Sequence, residues 1–258
     1  MAKLIAVERQ NRIVEVLNQN GSCKLAELAE LLGVSKETIR RDLIHLNEIG
    51  AVKKSHGGVS LPFELKTKSM ATRIASDYSL KTKICKKALE YIHDGSVIYL
   101  DTGSTIACLA ELLRSKHGLT IITNSLSAAN ALVNSNHIVH LTGGQLNSLN
   151  MSLEGYQTNS FLSTVKVELA FFGTNGFEEH TGPTTCDFLD VESKQTVLQN
   201  SKMNIVVTES SKSKTTSLTR YTSWHNIDYI ITDDDIDAST IENLNELTSV
   251  VTVQSGNS

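Results

Sequence analysis

The first sixty residues carry three helical patterns separated by turn residues. Apolar positions recur at helical spacing over 7–21, 24–33 and 34–50, and each stretch closes on a glycine, a common helix stop. The third stretch starts with Ser35, a favourable N-cap. Two short β-like pieces follow around "HGG" at 56–58, where glycine permits a tight turn. The pattern predicts three short helices and a β-hairpin.

From about residue 81 the pattern changes to short apolar runs that alternate with helical stretches. Such alternation predicts an α/β fold with a mostly parallel sheet and helices on both faces. Residues 61–80 show no strong period, and no fixed-period repeat is present. The predicted strands are 96–100, 119–123, 137–141, 168–172, 203–207, 228–232 and 249–253.

These patterns predict a domain organisation. We expect a small helical domain over 1–60, a linker over 61–78, a larger α/β domain over 79–254 and a short tail over 255–258.

Composition narrows the class of protein. No run of 18 apolar residues exists, and the apolar stretch at the N-terminus is too short for a secretory signal. The four cysteines are far apart in sequence, so neither a CxxC pair nor a zinc knuckle is expected. Scattered cysteines without an export signal indicate a reducing cytoplasm.

Charge is divided unevenly along the chain. Residues 1–60 have a net charge of +2, whereas the remainder has a net charge of −6. A basic N-terminus in an acidic chain hints at binding to nucleic acid or another anion.

Two short helices joined by a tight turn fit a helix-turn-helix, whose second helix enters the DNA major groove. Here that helix starts at Ser35, and its apolar stripe must face inward. Arginine can donate two hydrogen bonds to guanine or grip a phosphate, and the hairpin could act as a wing against the DNA backbone. The candidate DNA contacts are Ser35, Lys36, Glu37, Thr38, Arg40, Arg41, Lys53, Lys54 and His56. The alternative is a solvated helix with an i,i+4 ion pair between Glu37 and Arg41.

Small polar residues directly follow five of the predicted strands, at 101–105, 123–125, 142–144, 173–176 and 208–212. Ligands of open α/β sheets bind beyond the carboxyl ends of the strands, so a small-molecule pocket is expected there. In "DTGST" a glycine, hydroxyls and free helix N–H groups can cradle an anion. The alternative for each motif is ordinary helix capping. The candidate residues are Asp101, Thr102, Gly103, Ser104, Thr105, Asn124, Ser125, Gly143, Gly144, Gly173, Gly176 and Lys212.

The arrangement of these motifs resembles the DeoR family of bacterial transcription regulators. The resemblance rests on the spacing of Arg9, Ile13 and Leu17, on Ser35 followed by "TIRRDL", on "KKSHGG", and on the C-terminal strand-end motifs. It implies a winged helix-turn-helix domain in which Arg40 and Arg41 take the paired basic positions of the reading helix. Asp42 repels phosphates, so its expected role is to orient a neighbouring arginine or helix.

The resemblance also implies a C-terminal domain similar to ribose-5-phosphate isomerases, which senses a phosphorylated sugar. "DTGST" then corresponds to a phosphate loop, and "SSK" to the family's Asp-x-Ser-Lys segment, which assigns Lys212 to the site. The chain departs from the family pattern in three places: Glu209 replaces the usual aspartate, Ser213 an aromatic residue, and Asp190 a glutamate. These departures bear on which sugar is bound.

The expected function is a repressor of a sugar catabolism or transport operon. The expected partners are double-stranded operator DNA, a phosphorylated sugar effector, and further copies of the chain in a dimer or tetramer. No cofactor or metal is expected, because the acidic run at 233–237 lacks the glycine and glutamate that complete a calcium loop. Two alternatives remain: a sugar-phosphate isomerase, with Glu178 and Glu179 as loose candidates for the base, and an N-terminal module that binds protein.

Overall fold

The computed structural model describes residues 6–20, 22–48, 52–55, 58–60, 69–178 and 181–256. The chain divides into two compact units, 1–69 and 70–258. Within these residues, no helix is both long enough and apolar enough to cross a membrane.

The described residues of the first unit form three helices and a small antiparallel sheet, as predicted. The helices are α1 (Ala6–Asn20), α2 (Leu25–Leu32) and α3 (Lys36–Glu48), and the strands are β1 (Ser22–Cys23), β2 (Lys53–Ser55) and β3 (Gly58–Ser60). The hairpin strands β2 and β3 pair with each other, and β1 adds to the outer edge of β3. The sequence pattern did not show β1, because two residues are too few for a strand period.

Apolar side chains from all three helices form the core of this unit. Ile13, Leu28 and Ile39 are fully buried, and each stabilises the fold by about 1.5–3 kcal/mol relative to an exposed side chain. Gly33 ends α2 in the left-handed conformation, at a φ of +63°. Leu31 lies outside the core with 62% of its surface exposed, although it shares the helical spacing.

The second unit is built on a seven-stranded parallel sheet formed by all seven predicted strands, each within two residues of its predicted limits. The strands are β4 (Val97–Leu100), β5 (Thr120–Thr123), β6 (Ile138–Leu141), β9 (Val167–Phe172), β11 (Ser201–Val207), β13 (Tyr229–Asp233) and β14 (Ser249–Val253). Their spatial order is β14-β13-β11-β9-β4-β5-β6. Two short antiparallel pairs lie outside this sheet: β7 (Gln145–Asn147) with β8 (Ser152–Glu154), and β10 (Thr184–Thr185) with β12 (Thr219–Arg220).

Helices cover both faces of the sheet. They are α4 (Met70–Ala75), α5 (Tyr78–Ala88), α6 (Ser104–Leu112), α7 (Leu126–Ala131), α8 (Tyr156–Leu162), α9 (Phe188–Asn200) and α10 (Ala238–Asn245). Helices α5, α6 and α7 pack on one face, and α8, α9 and α10 on the other. Neighbouring strand residues point to opposite sides, so Ile98 belongs to one core layer and Tyr99 to the other.

The predicted linker is too long at its C-terminal end. Helix α4 and the start of α5 fall within the predicted range of 61–78, but they belong to the second unit. Met70 is buried, and α4 packs against α6. Residues 61–68 lie outside the described residues. Helix α4 escaped the sequence pattern because six residues span less than two helical turns.

The strand order has one switch point, the position in the sheet where the chain changes the side on which it adds strands. From β4 the chain adds β5 and β6 on one side, and then crosses over to add β9, β11, β13 and β14 on the other side. The loops after β4 and β9 therefore lead away from each other and leave a crevice between them, where open α/β sheets bind ligands.

Candidate DNA-reading surface and effector cleft

The outward face of α3 is polar and accessible. Lys36, Glu37, Arg40 and Arg41 are exposed, whereas Ile39, Leu43 and Leu46 are buried beneath them. Glu37 pairs with Arg40 at 2.8 Å, rather than with Arg41 as the solvated-helix alternative required. Both partners are more than half exposed, so the pair contributes at most about 1 kcal/mol and exchanges easily for a phosphate contact.

Ser35 caps the start of α3, as its position predicted. Its Oγ accepts a hydrogen bond from the backbone N–H of Thr38 at 3.1 Å and lies 2.9 Å from the Thr38 Oγ1. The two hydroxyls remain at the exposed N-terminal end of the helix, where the free N–H groups favour an anion.

Asp42 lies on the inner side of α3 and holds α1. Its carboxylate accepts hydrogen bonds from Arg9 Nε at 2.5 Å and Arg9 Nη2 at 3.0 Å, and from Gln10 Nε2 at 3.3 Å. Asp42 is 4% exposed. The contact confirms that Asp42 orients a helix and an arginine, but the arginine is Arg9 and not Arg40 or Arg41.

Two of the three predicted wing residues lie in the described part of the hairpin. Lys53 and Lys54 lie in β2, paired with Ser60 and Val59 of β3. His56 lies outside the described residues, so its predicted contact with DNA stays a prediction.

The switch-point crevice is closed at its base by Asp101. Its Oδ2 accepts a hydrogen bond from the Gly173 N–H at 2.9 Å, and its own N–H donates to the Phe171 carbonyl at 3.0 Å. Asp101 therefore ties together the loops after β4 and β9. A side chain at position 173 would lie 3.0 Å from the Thr102 carbonyl, which explains the glycine there.

Lys194 of α9 is the cation that offsets the charge of Asp101. It is 2% exposed, forms an ion pair with Asp101, and lies 3.4 Å from the Asp190 carboxylate. Burial alone lowers the pKa of Lys194, but the two carboxylates outweigh burial and raise it, so the amine stays charged. Its ammonium also lies 5.1 Å from the centre of the Tyr221 ring.

Two carboxylate oxygens in this cluster have no hydrogen-bond partner within the described part of the chain. They are Asp101 Oδ1 and Asp190 Oδ1, and both are buried. The other oxygen of Asp190 accepts from the Thr185 hydroxyl at 2.6 Å. Buried polar atoms are normally satisfied, so the two oxygens are available hydrogen-bond acceptors, although neither is open to solvent in this structure.

Helix α6 begins at the same crevice with its first N–H groups uncapped. Gly103 occupies the N-cap position at a φ of +137°, which favours glycine, and no described side chain caps the helix. Thr102, Ser104 and Thr105 are half-buried around this end. Thr102 Oγ1 donates to the Asn150 carbonyl at 3.1 Å, which anchors the loop. An uncapped helix start is what the anion cradle predicted for "DTGST" requires, and anion binding there stays a prediction.

Comparison with known proteins identifies the class of the chain. The DeoR-like helix-turn-helix domain matches residues 9–64, and the DeoR C terminal sensor domain matches residues 76–234. The chain belongs to the DeoR family. It is therefore a DNA-binding transcriptional regulator with a sensor domain for a small-molecule effector.

Relatives of this DeoR-family chain align over most of its length. It is 31% identical to the glycerol-3-phosphate regulon repressor of Escherichia coli, over 88% of this chain and 90% of the relative. It is 34% identical to the transcriptional regulator GolR of Listeria innocua, over 89% and 91%. It is 31% identical to the lactose phosphotransferase system repressor of Staphylococcus epidermidis, over 88% and 91%.

Solved structures show more distant similarity. Ribose 5-phosphate isomerase A of Methanocaldococcus jannaschii aligns over 53% of this chain and 55% of that one, with 23% identity and a TM-score of 0.39. A probable sor operon regulator of Shigella flexneri aligns over 68% and 91%, with 10% identity and a TM-score of 0.41.

Not all predicted effector residues of this DeoR-family sensor reach open space. Asn124 and Ser125 are fully buried: Asn124 accepts from the Tyr99 hydroxyl at 2.9 Å, and Ser125 caps α7 through the Ala128 N–H at 3.2 Å. These contacts favour the capping alternative for Ser125. Gly143 and Gly144 are exposed, and a side chain at Gly144 would collide with Thr158 Oγ1 at 2.3 Å.

The loop after β11 brings a further group of predicted residues to the carboxyl edge. Lys212 is half-buried in a 3-10 turn over Ser210–Lys214. The preceding Glu209 forms an ion pair at 2.6 Å with Lys81 of α5, which is buried. Glu209 thus has a structural partner where the family commonly carries aspartate. Gly176 lies against this segment, because a side chain there would meet the Thr215 carbonyl at 2.2 Å.

Sequence reasoning missed three charged residues around the cleft: Lys194, Arg73 and Glu154. Arg73 of α4 donates to Asn150 Oδ1 at 3.0 Å, and its buried Nε has no described partner. Burial lowers the pKa of Arg73. Only Lys194 had a sequence signal, since it follows Asp190 at the i,i+4 spacing of a helical ion pair. The other two are brought to the cleft by tertiary packing.

Proposed function

We propose that this regulator represses a sugar catabolism or transport operon and leaves its operator when a phosphorylated sugar binds the sensor domain. The relatives that support the proposal are named repressors of a glycerol-3-phosphate regulon and of a lactose phosphotransferase system. Such a protein works in the cytoplasm, where its operator DNA and its phosphorylated effector are found together.

The observation that carries the effector proposal is the composition of the switch-point crevice. The uncapped start of α6 can hold a phosphate through its N–H groups and the hydroxyls of Ser104 and Thr105. The oxygens of Asp101 and Asp190 that lack a partner among the described residues are buried, so in this proposal the surrounding loops open before these atoms accept hydrogen bonds from sugar hydroxyls. A ligand with a phosphate at the start of α6 and hydroxyls at Asp101 and Asp190 is a sugar phosphate.

Two cations complete the proposed phosphate site. Lys212 belongs to the loop after β11 and follows the family's lysine motif. Arg73 is half-buried and has no carboxylate within ion-pair distance among the described residues, although the more distant Asp190 carboxylate acts on it, and a partly desolvated cation favours an anionic ligand. Asn124, Ser125, Gly143, Gly144, Gly173 and Gly176 then shape the crevice rather than hold the sugar through their side chains.

DNA is read by the outward face of α3 in this proposal. Arg40 and Arg41 contact bases or phosphates, Ser35, Lys36, Glu37 and Thr38 lie at the start of the same helix, and Lys53, Lys54 and His56 contact the backbone from the hairpin. Release follows by linkage: the effector binds one arrangement of a dimer or tetramer more tightly, and that arrangement spaces the reading helices wrongly for the operator.

The test combines effector screening with DNA binding. Thermal unfolding of the full chain is measured with a panel of sugar phosphates and their unphosphorylated parents, and each stabilising compound is added to gel shifts with the chain's own promoter DNA. We expect a phosphorylated compound alone to raise the melting temperature and release the DNA. Promoter binding that does not weaken with rising salt would contradict the proposal, because neutralised phosphates release counterions.

The isomerase alternative is not favoured. Glu178, one candidate for the base, is exposed at the surface, and Glu179 lies outside the described residues. The relatives named above are regulators. We expect no isomerisation of pentose or amino-hexose phosphates by the purified protein, and measurable turnover would restore the alternative.

A further inference from the structure

One part of the sensor unit is almost free of charge. Residues 118–165 contain a single Asp, Glu, Lys or Arg, Glu154, although one residue in five of the whole chain is of these four types. Glu154 is itself buried. The surface formed by these 48 residues therefore presents no Asp, Glu, Lys or Arg side chain, and its exposed histidine is His140, which is unusual because solvent-facing surfaces are normally rich in charged residues.

The same segment exposes large apolar side chains. Ile138 is 61% exposed and Tyr156 is 82% exposed. Interfaces differ from the rest of a protein surface in this way: charged residues are depleted at their centre, and apolar and aromatic residues take their place. The exposed large apolar residues of the segment are Val133, Ile138, Leu141, Leu146, Met151 and Tyr156.

Hydrogen bonds join the elements of this segment at one end of the sheet. The Leu126 N–H at the start of α7 donates to the Met151 carbonyl at 2.8 Å, which attaches the β7–β8 hairpin. Thr158 of α8 donates to the Gly143 carbonyl at 2.7 Å, directly after β6. Ile138 and Leu141 lie on β6 itself, and the other exposed apolar residues lie on or next to elements that contact or are hydrogen-bonded to one another beside it.

Strand β6 is the edge of the sheet, and its outer side is open. Among the residues that the structure describes, β6 pairs with β5 and with no other strand. The N–H groups of Ile138 and Thr142 donate inward to β5 at 2.9 Å and 3.1 Å. Backbone groups alternate in direction along a strand, so the N–H and C=O groups of Val139 and Leu141 point outward.

Nothing in the sequence of β6 guards this edge against pairing. Natural proteins protect open edges with lysine, proline, inward charges or bulges, and "IVHL" contains no such residue. The opposite edge differs. Strand β14 has no large apolar side chain among the exposed ones, and Lys83 donates to the chain just beyond it at Ser255.

We propose that β6 pairs antiparallel with β6 of a second copy of this chain across a two-fold axis, so that the uncharged face becomes the dimer interface. Antiparallel self-pairing is the arrangement that a two-fold axis allows, and it satisfies the outward groups of both strands at once. The inference rests on the proposed function for the expectation that the regulator acts as an oligomer.

Charge explains why the occupant is a second copy rather than DNA or a basic protein. Residues 61–258 carry a net charge of −6, so two identical sensor units repel each other wherever their acidic surfaces meet. An uncharged face allows close approach without that repulsion. The same face offers nothing to attract a phosphate backbone or a strongly charged partner.

The test places a charge on the strand and measures mass. Light scattering after size exclusion is run on the full chain and on Ile138→Lys, with Thr252→Lys on the opposite edge as the matched control. We expect the wild type and the control to have at least twice the chain mass of 28.2 kDa, and Ile138→Lys to fall to half the wild-type mass. Circular dichroism checks that each variant is folded, and Leu141→Gln replaces Ile138→Lys if that variant does not fold.

Other outcomes overturn the inference. A monomeric wild type at tens of micromolar excludes the dimer, and an unchanged mass for folded Ile138→Lys excludes this interface. Gel shifts with promoter DNA, run on the same samples, separate this inference from the proposed function. A monomer that still binds the promoter and releases it with effector overturns the interface alone, whereas a dimer that ignores promoter DNA overturns the function alone.

Discussion

Arg9 and Asp42 form a two-pronged ion pair that joins α1 to α3. The pair spans 33 residues of sequence, and the side chains are 11% and 5% exposed. Because it attaches the inner side of α3 to α1, it sets the angle at which Arg40 and Arg41 are presented. The charged residues of this short helix thus have separate roles on its two sides.

Removal of the Asp42 side chain should destabilise the first unit. Asp42→Ala leaves the guanidinium of Arg9 largely buried without its counter-charge, which costs roughly 3 kcal/mol when such a pair is broken from one side. Urea unfolding should show the loss, and promoter binding should weaken with it. Glu37→Ala is the control, since it breaks the exposed pair with Arg40 and should cost less than about 1 kcal/mol. Equal losses of unfolding free energy in the two variants would contradict the assigned role of Asp42.

Loss of either exposed arginine of α3 should weaken DNA binding without unfolding the protein. Arg40→Ala and Arg41→Ala should each cost about 1–3 kcal/mol of binding if the arginine contacts a base. Titrations against promoter DNA at several salt concentrations measure both the affinity and the salt slope. Lys202→Ala, an exposed cation of the second unit, is the matched control. A control that weakens binding as much as the arginine variants argues for a non-specific charge effect.

Changes in the crevice should separate effector response from DNA binding. Ser104→Ala removes a hydroxyl at the uncapped start of α6, and Lys212→Ala removes a cation of the neighbouring loop. Both variants should bind promoter DNA normally but stay bound when effector is added. Lys214→Ala tests an exposed lysine of the same turn and should respond like the wild type. If it loses the response as well, the turn as a whole is required rather than Lys212.

Glu154 should make the stability of the sensor unit depend on pH. Burial, reinforced by the nearby carboxylates of Asp187 and Asp190, raises the pKa of Glu154 to about 7, from an ordinary value near 4.5. The folded state therefore holds a proton that the unfolded state has released, so stability falls as the pH rises through this range. One pKa unit corresponds to about 1.4 kcal/mol, so the free energy of unfolding should fall by up to about 3 kcal/mol between pH 5 and pH 8.

The matching measurement is urea unfolding at pH 5 to 8 with Glu154→Gln beside the wild type. Glutamine keeps the shape of the side chain and cannot ionise, so the variant should lose less stability across the range and be the more stable protein at pH 8. Parallel curves for the two proteins would show that the pH dependence comes from another group.

Repetition along the chain made the main elements predictable. Each of the seven main strands is an apolar run of about five residues, and α3 repeats Ile39, Leu43 and Leu46 at helical spacing, so the local pattern decides these elements. The short pieces were missed for the same reason. Pairs such as β10 with β12, only two residues each, form because tertiary contacts bring distant segments together.

The sequence by itself determined the fold class and the position of α3, and it predicted a ligand cleft at the carboxyl edge of the sheet, because periodic burial and strand-end polarity are local properties. Only the tertiary structure decided which charges meet. Lys194 reaches Asp101 across 93 residues, Asp42 finds Arg9 on another helix, and Arg73 arrives from a segment that the pattern assigned to a linker. Electrostatic partners are chosen by distance in space, and a low-dielectric interior makes that choice strong, so no spacing along the chain can specify it.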